Sequence, residues 1–139
     1  MTSNGNSSGQ TILMVENEAA TACLLEFVLE KNGYRVIHAN NGVHAKSLIA
    51  TMEPPNVVLL DIALPDTNGL DLLAYLRTQT HWQNTAVALL TTSADNLDMR
   101  QAALLGVDDY IVKPVSPTRL ATRLNRLLRD SQKKQTRVA

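Results

Sequence analysis

The chain has 139 residues, of which 45% are hydrophobic and 19% charged, with 13 basic side chains against 13 acidic ones. That length and a mean hydropathy of -0.08 describe one folded domain and exclude a disordered or collagen-like chain. No apolar run approaches the ~20 residues of a membrane span, the N-terminus lacks a secretory signal, and a single cysteine, Cys23, excludes an internal disulfide or a cysteine-based zinc cluster. A cytoplasmic protein without membrane contact is therefore expected.

The neutral total hides an asymmetry. Residues 1–115 hold 6 basic and 12 acidic residues, whereas residues 116–139 hold 7 basic and 1 acidic. So acidic a body is not that of a generic nucleic-acid binder, and no direct nucleic-acid binding is expected. The basic end suits an acidic partner.

Residues 1–10 are too polar to bury anything and are expected to form a disordered tail. From Thr11 onward, short apolar runs alternate with longer segments whose apolar residues recur every three or four positions. The strands in order are Ile12–Val15, Tyr34–His38, Asn56–Leu60, Ala86–Leu90 and Asp109–Val112. The helices are Glu18–Lys31, Val43–Met52, Leu70–Thr78, Asp95–Leu105 and Pro117–Arg129. The runs ILMV, VVLL and VALL are apolar throughout, as strands covered on both faces require. Gly33 and Gly106 suit helix stops, and Asn17, Asn68 and Ser116 suit helix starts. Cys23 and Phe27, four apart, are expected to pack inside, and Trp82 to anchor the loop before the fourth strand.

Five βα units predict a doubly wound α/β domain over residues 11–129: a five-stranded parallel sheet of flavodoxin-like order 2-1-3-4-5 with five helices. Residues 130–139 read as a polar, basic C-terminal tail. Such sheets bind ligands beyond the carboxyl ends of their strands. The residues standing there are Glu16 and Asn17, Asp61, Thr91 and Lys113. Glu16 and Asp61 at about 4 Å would repel by roughly 4 kcal/mol at an effective dielectric of 20, so a cation between them relieves strain. Oxygen ligands favour magnesium, which binds through one or two carboxylates together with phosphoryl oxygens. Lys113 and Thr91 add a charge and a hydroxyl for the remaining phosphate oxygens, and Asp61 is the natural nucleophile, forming an aspartyl phosphate.

These residues resemble the receiver domains of two-component response regulators. The likeness runs from about Thr11 to Arg129 through ILMVENE, VVLLDIALPDTNGLDLL, VALLTTSA and GVDDYIVKP, with 30 residues from Asp61 to Thr91 and 22 from Thr91 to Lys113. The resemblance implies a CheY-like phosphorelay switch, at most slowly self-phosphorylating and autodephosphorylating. It implies Asp61 as phosphoacceptor and magnesium ligand, and Ala63 as a backbone-carbonyl ligand. Thr91 and Lys113 would be the phosphoryl contacts, Thr91 and Tyr110 the switch pair, and Lys113-Pro114 a cis peptide. The phosphoryl donor would be a sensor histidine kinase or a histidine phosphotransfer protein. The output would be a downstream partner or a self-dimer through the fourth helix, fifth strand and fifth helix. A stand-alone single-domain regulator is expected.

The acidic cluster departs from the family pattern. The resemblance implies two adjacent carboxylates, and here Glu16 is followed by Asn17, a neutral oxygen donor at the second metal position. Weakened magnesium binding is expected, with Glu18 as a source of compensating charge. Alternatively, the domain is a pseudo-receiver that docks without phosphorylation because Asn17 replaces a metal-binding aspartate; a separate reading makes Asn17 simply the cap of the first helix, with no bearing on the metal. A phosphohydrolase ranks last, because Ala63 stands where that class commonly needs an acid/base aspartate. Thr92 is the alternative hydroxyl to Thr91. His38, His44 and His81 lack ligand spacing and read as structural or surface residues, and the stripe Arg119, Arg123, Arg126 reads as a solvated face.

Overall fold

The computed structural model describes residues 9–92 and 96–138. Five strands, β1 (Thr11–Val15), β2 (Arg35–Ala39), β3 (Val57–Asp61), β4 (Ala86–Thr91) and β5 (Asp109–Val112), form one sheet in the order β2-β1-β3-β4-β5. Every neighbouring pair is parallel. The connecting helices are α1 (Ala19–Lys31), α2 (Gly42–Thr51), α3 (Gly69–Thr78), α4 (Asn96–Leu104) and α5 (Pro117–Val138), with a 3-10 turn at Thr80–Trp82 before β4.

Alternation along the strands divides the interior in two, because successive side chains leave a strand on opposite faces. Ile12, Met14, Val57, Leu59, Ala86, Ala88 and Leu90 meet Leu25 and Leu29 of α1 and the leucines of α5 on one side. Leu13, Val15, Val58, Leu60, Val87 and Leu89 meet α2, α3 and Ala102 of α4 on the other. The sheet is thus a central layer between two helical layers, and its all-apolar runs follow from burial on both faces. Leu120, Leu124, Leu127 and Leu128 are at most 7% exposed, and each contributes about 2 kcal/mol of burial that holds α5 against the sheet.

Helix ends follow local chemistry. Gly33 and Gly106 adopt φ of 92° and 78°. Each closes a paired-bond helix stop: Gly33 N–H donates to the Glu30 carbonyl and Tyr34 N–H to that of Leu29, and Gly106 and Val107 repeat the pattern on Ala103 and Ala102. Asn68 caps α3 by accepting from Leu70 N–H at 2.7 Å, and Asn41 caps α2 through His44 N–H at 2.8 Å. Asn17 is the neighbour of the cap, not the cap: the capping position of α1 is Glu18, whose side chain accepts no backbone N–H of the helix.

Arg77, at the end of α3, gathers five carbonyls. Its guanidinium donates to Trp82, Gln83 and Thr85 before β4 and to Leu105 and Gly106 after α4, at 2.7–3.2 Å. Asp108 lies 3.6 Å away. Trp82 is buried in the core beside α3, anchoring that loop as its size suggests.

Three expectations change. Cys23 is exposed and Phe27 is 63% exposed, because α1 turns Ala22, Leu25, Val28 and Leu29 inward and leaves positions 23 and 27 beside that stripe. The Phe27 ring instead lies under the Lys31 ammonium, 5.8 Å from the ring centroid. The last helix does not stop at Arg129 but continues to Val138, since residues 130–138 contain no glycine or proline and include the helix formers Gln132, Lys133, Lys134 and Gln135. β2 and β3 are each shifted by one residue, so Asp61 ends β3 and Tyr34 precedes β2, buried, with its hydroxyl 3.1 Å from Asn125 Oδ1 on α5. Most of the expected N-terminal tail, and Asp95 at the expected start of α4, lie outside the described residues.

Candidate phosphoryl-transfer site

The carboxyl ends of β1, β3, β4 and β5 open on a cleft of about 380 Å³ lined by Glu16, Asn17, Glu18, Asp61, Ile62, Ala63, Thr91, Thr92 and Lys113. Parallel pairing is the cause. Asp61 and Thr91 are the last residues of β3 and β4, while Glu16 and Lys113 follow β1 and β5 directly, so all four share one rim. A larger groove of about 770 Å³ lies at the opposite pole, before the amino ends of β3 and β4, away from these groups.

Lys113 Nζ sits between the two carboxylates, 2.8 Å from Glu16 Oε1 and 2.9 Å from Asp61 Oδ2. Glu16 is fully buried and Asp61 is 4% exposed. Burial raises the Glu16 carboxyl above its ordinary range, and repulsion from Asp61 adds to it. The Lys113 ammonium and the Glu18 N–H, which donates to Glu16 Oε2 at 3.1 Å, offset only part. Burial also works against the Lys113 ammonium, but hydrogen bonds and charge from Glu16 and Asp61 outweigh it and hold its pKa above the usual lysine value. The Lys113-Pro114 peptide is cis, and Lys113 N–H donates to the Thr91 carbonyl at 2.7 Å, tying the two strand ends together.

The loop after β3 folds back over Asp61. Ala63 N–H donates to Asp61 Oδ1 at 3.0 Å, Gly69 N–H donates to the Ile62 carbonyl at 2.7 Å, and Ala63 bridges to Asn68. Gly69 is the only residue type that fits, because a Cβ there would stand 2.4 Å from the Asp61 carbonyl oxygen and 2.6 Å from Ile62 Cα. Asp66 extends the loop to α2, accepting from Gly42 and Val43 N–H at 2.8 Å each. Those two bonds pull its carboxyl below the usual range.

The donor set fits a magnesium ion. Two carboxylates already converge within 3 Å of one cationic centre, Lys113 Nζ. Among the described residues no group of three His, Cys, Asp or Glu side chains is poised around a common ion, so neutral oxygens must complete the shell. Magnesium accepts such a set. Asn17 is exposed on the cleft wall and Glu18 lines it too, with the Thr21 hydroxyl donating to the Glu18 carboxylate. Thr91 is buried and Thr92 exposed, although both line the cleft.

Tyr110 is half-buried beside the cluster beneath α3 and α4. Its carbonyl accepts from Arg123 at 2.6 Å, and Arg123 also reaches Asp109 Oδ1 at 3.0 Å, so α5 is bonded directly to β5. His44 is exposed on α2 and His81 in the 3-10 turn, both away from the cleft. His38 was not legible as part of the site. Its Nε2 lies 2.8 Å from the Glu16 carbonyl, which can only accept, so the ring N–H ends the β1–β2 ladder and fixes the peptide leading into Asn17. Parallel register, which aligns His38 with Met14 one turn of the pleat before Glu16, was the available signal.

Comparison with known proteins agrees with this geometry. A family profile, the response regulator receiver domain, matches residues 12–125. The transcriptional regulatory protein GltR of Pseudomonas aeruginosa is 32% identical over 132 residues, covering 95% of this chain and 54% of that protein. The phosphate regulon regulator PhoB of the same organism is 35% identical over 121 residues, covering 87% and 52%. The chain thus spans about half the length of these curated relatives. Among solved structures, a CheY-like receiver domain from Methanospirillum hungatei superposes with a TM-score of 0.84 at 28% identity, covering 90% of this chain and 98% of that one. The receiver domain of a Pseudomonas aeruginosa sensor histidine kinase, described with magnesium coordinated in its active-site cleft, gives 0.79 at 27%, covering 87% and 98%. From the matched profile, the strand order and the convergence of Glu16, Asp61, Thr91 and Lys113 on one rim, it follows that the chain belongs to the response regulator receiver domain family of two-component phosphorelay signalling.

Proposed function

We propose that this domain accepts a phosphoryl group on Asp61 from a phosphohistidine and converts the event into a change of surface. The observation that carries the reading is the pairing of Lys113 Nζ with both Glu16 and Asp61 inside a cleft that Thr91 also lines. In the transfer, the phosphorus–nitrogen bond of the donor breaks, its electron pair returns to the imidazole, and one Asp61 oxygen bonds to phosphorus. Glu16, Asn17, Asp61 and the Ala63 carbonyl are the groups to hold magnesium, which supplies positive charge against the phosphoryl oxygens when bound. Lys113 and the Thr91 hydroxyl take the remaining oxygens. Self-phosphorylation from small donors and autodephosphorylation are slow side activities of a regulatory domain.

Switching follows by population shift. Thr91 drawn toward the phosphoryl group leaves room for Tyr110 to move inward, and the Arg123 bond to the Tyr110 carbonyl carries that movement to α5. Met99 and Leu104 of α4 and Val112 of β5 are exposed at 40%, 87% and 48%, an apolar surface suited to a downstream partner or a second copy. A kinase or phosphotransfer protein has its own surface on α1, where Leu24 and Phe27 are exposed on the helix that leaves the cleft. No described helix is long and apolar enough to cross a membrane, and the cytoplasm is the proposed location.

Incubation with magnesium and acetyl phosphate, read by intact mass, gives a phosphoryl adduct on the wild type and none on Asp61→Asn. A wild type without adduct under saturating magnesium sinks this reading and favours the pseudo-receiver. A calorimetric magnesium titration of Asn17→Asp, which restores the second carboxylate, gives severalfold tighter binding than the wild type. Equal affinities would remove residue 17 from the metal site.

A further inference from the structure

We propose that the basic face of α5 binds the sugar–phosphate backbone of a nucleic-acid duplex without sequence preference. The overall charge balance argued against such binding while residues 130–139 read as a separate tail, but the helix is continuous from Pro117 to Val138. It continues thirteen residues past the end of the family match, and those thirteen include Arg126, Arg129, Lys133, Lys134 and Arg137 against Asp130 alone. Seven cations are therefore gathered on one rod about 33 Å long.

Side chains on the described part of the helix are arranged for anions. Thr118, Arg119, Thr122, Arg123, Arg126 and Arg129 line a groove of about 570 Å³. Arg123 is held by Asp109 and the Tyr110 carbonyl, whereas Arg119, Arg126 and Arg129 have no carboxylate partner among the described residues. Spacings of four, three and three place like charges one turn apart, which weakens a helix unless an external polyanion neutralises them. A face shaped for solvation alone would be better served by interspersed acids.

The surroundings narrow the partner. Among its described side chains α5 has no exposed large apolar residue, so that part of the helix lacks the dry centre of a protein–protein contact. Its leucines are already buried against the sheet, which leaves no apolar face to enter a lipid surface. It contains no aromatic residue on which unpaired bases could stack. A regular ladder of arginines and hydroxyls without these features matches backbone phosphates of a duplex.

The test is fluorescence anisotropy with a labelled 20-base-pair duplex of arbitrary sequence. The full chain is expected to bind with a Kd between about 1 and 100 μM at 50 mM salt, and log K to fall against log salt with a slope of roughly -3. A variant carrying Arg119→Gln, Arg126→Gln and Arg129→Gln is expected to bind at least about tenfold more weakly, with its circular dichroism and acetyl-phosphate adduct unchanged. Asp61→Asn should bind the duplex as the wild type does, which separates this proposal from the phosphoryl-transfer reading. Absence of binding at 50 mM salt, equal binding by the triple variant, or equal affinity for polyglutamate or anionic vesicles would each overturn it.

Discussion

Lys113→Ala is expected to lower the unfolding free energy by about 3 kcal/mol at pH 8, because it leaves two buried carboxylates without their shared cation. Glu16 and Asp61 are 0% and 4% exposed, so both carboxylates are poorly hydrated beside the lost ammonium. The pH dependence has a definite sign. Burial, followed by Asp61, already holds the Glu16 carboxyl above its usual range, and losing Lys113 raises it further. A carboxyl with a higher pKa folded than unfolded binds a proton more readily in the folded state, so its penalty is fully present well above that pKa and fades as pH falls through it. The variant therefore recovers stability relative to the wild type as pH falls through the raised Glu16 pKa. In the wild type, the Lys113 contribution is present below the ordinary lysine pKa and is lost only as pH rises through the raised one. Urea midpoints at pH 8, 6.5 and 5 check this, and an equal deficit at every pH would show that Glu16 takes up no proton over that range in the variant.

Gly69→Ala is expected to cost about 3 kcal/mol, the upper part of the usual range for overpacking. The added methyl would stand 2.4 Å from the Asp61 carbonyl oxygen and 2.6 Å from Ile62 Cα, both backbone atoms that cannot rotate away. Either α3 backs off, which strains the Gly69 N–H bond to the Ile62 carbonyl, or the end of β3 moves and carries Asp61 with it. The variant should therefore lose both denaturant resistance and the rate of adduct formation at saturating magnesium. Wild-type stability would mean that the close approach is relaxed in solution.

Strand order and the shared rim were legible because they rest on periodicity. The runs ILMV, VVLL and VALL permit only a sheet covered on both faces, and parallel strands put their following residues on one side. Errors fell where a pattern is degenerate. Four-residue spacing on α1 marks two faces equally well, and only packing against the sheet shows that Leu25 and Leu29, rather than Cys23 and Phe27, point inward. The end of α5 is ambiguous in composition, because a polar, basic segment suits a tail, yet glutamine, lysine and arginine are also good helix formers. His38 has the structural role that its lack of ligand spacing predicts, but its partner, like the Leu105 and Gly106 partners of Arg77, is a backbone carbonyl distant in sequence. No local pattern records such a contact.

The five carbonyls held by Arg77 have a mechanical consequence. They pin the chain just after α4 to the end of α3 and to the approach to β4. A rod fastened at one end can only pivot there, so any displacement of α4 grows with distance from the fulcrum and is greatest in its first turn, the end nearer Thr91. A force applied to α4 at the rim would thereby act on the longest arm about that fulcrum.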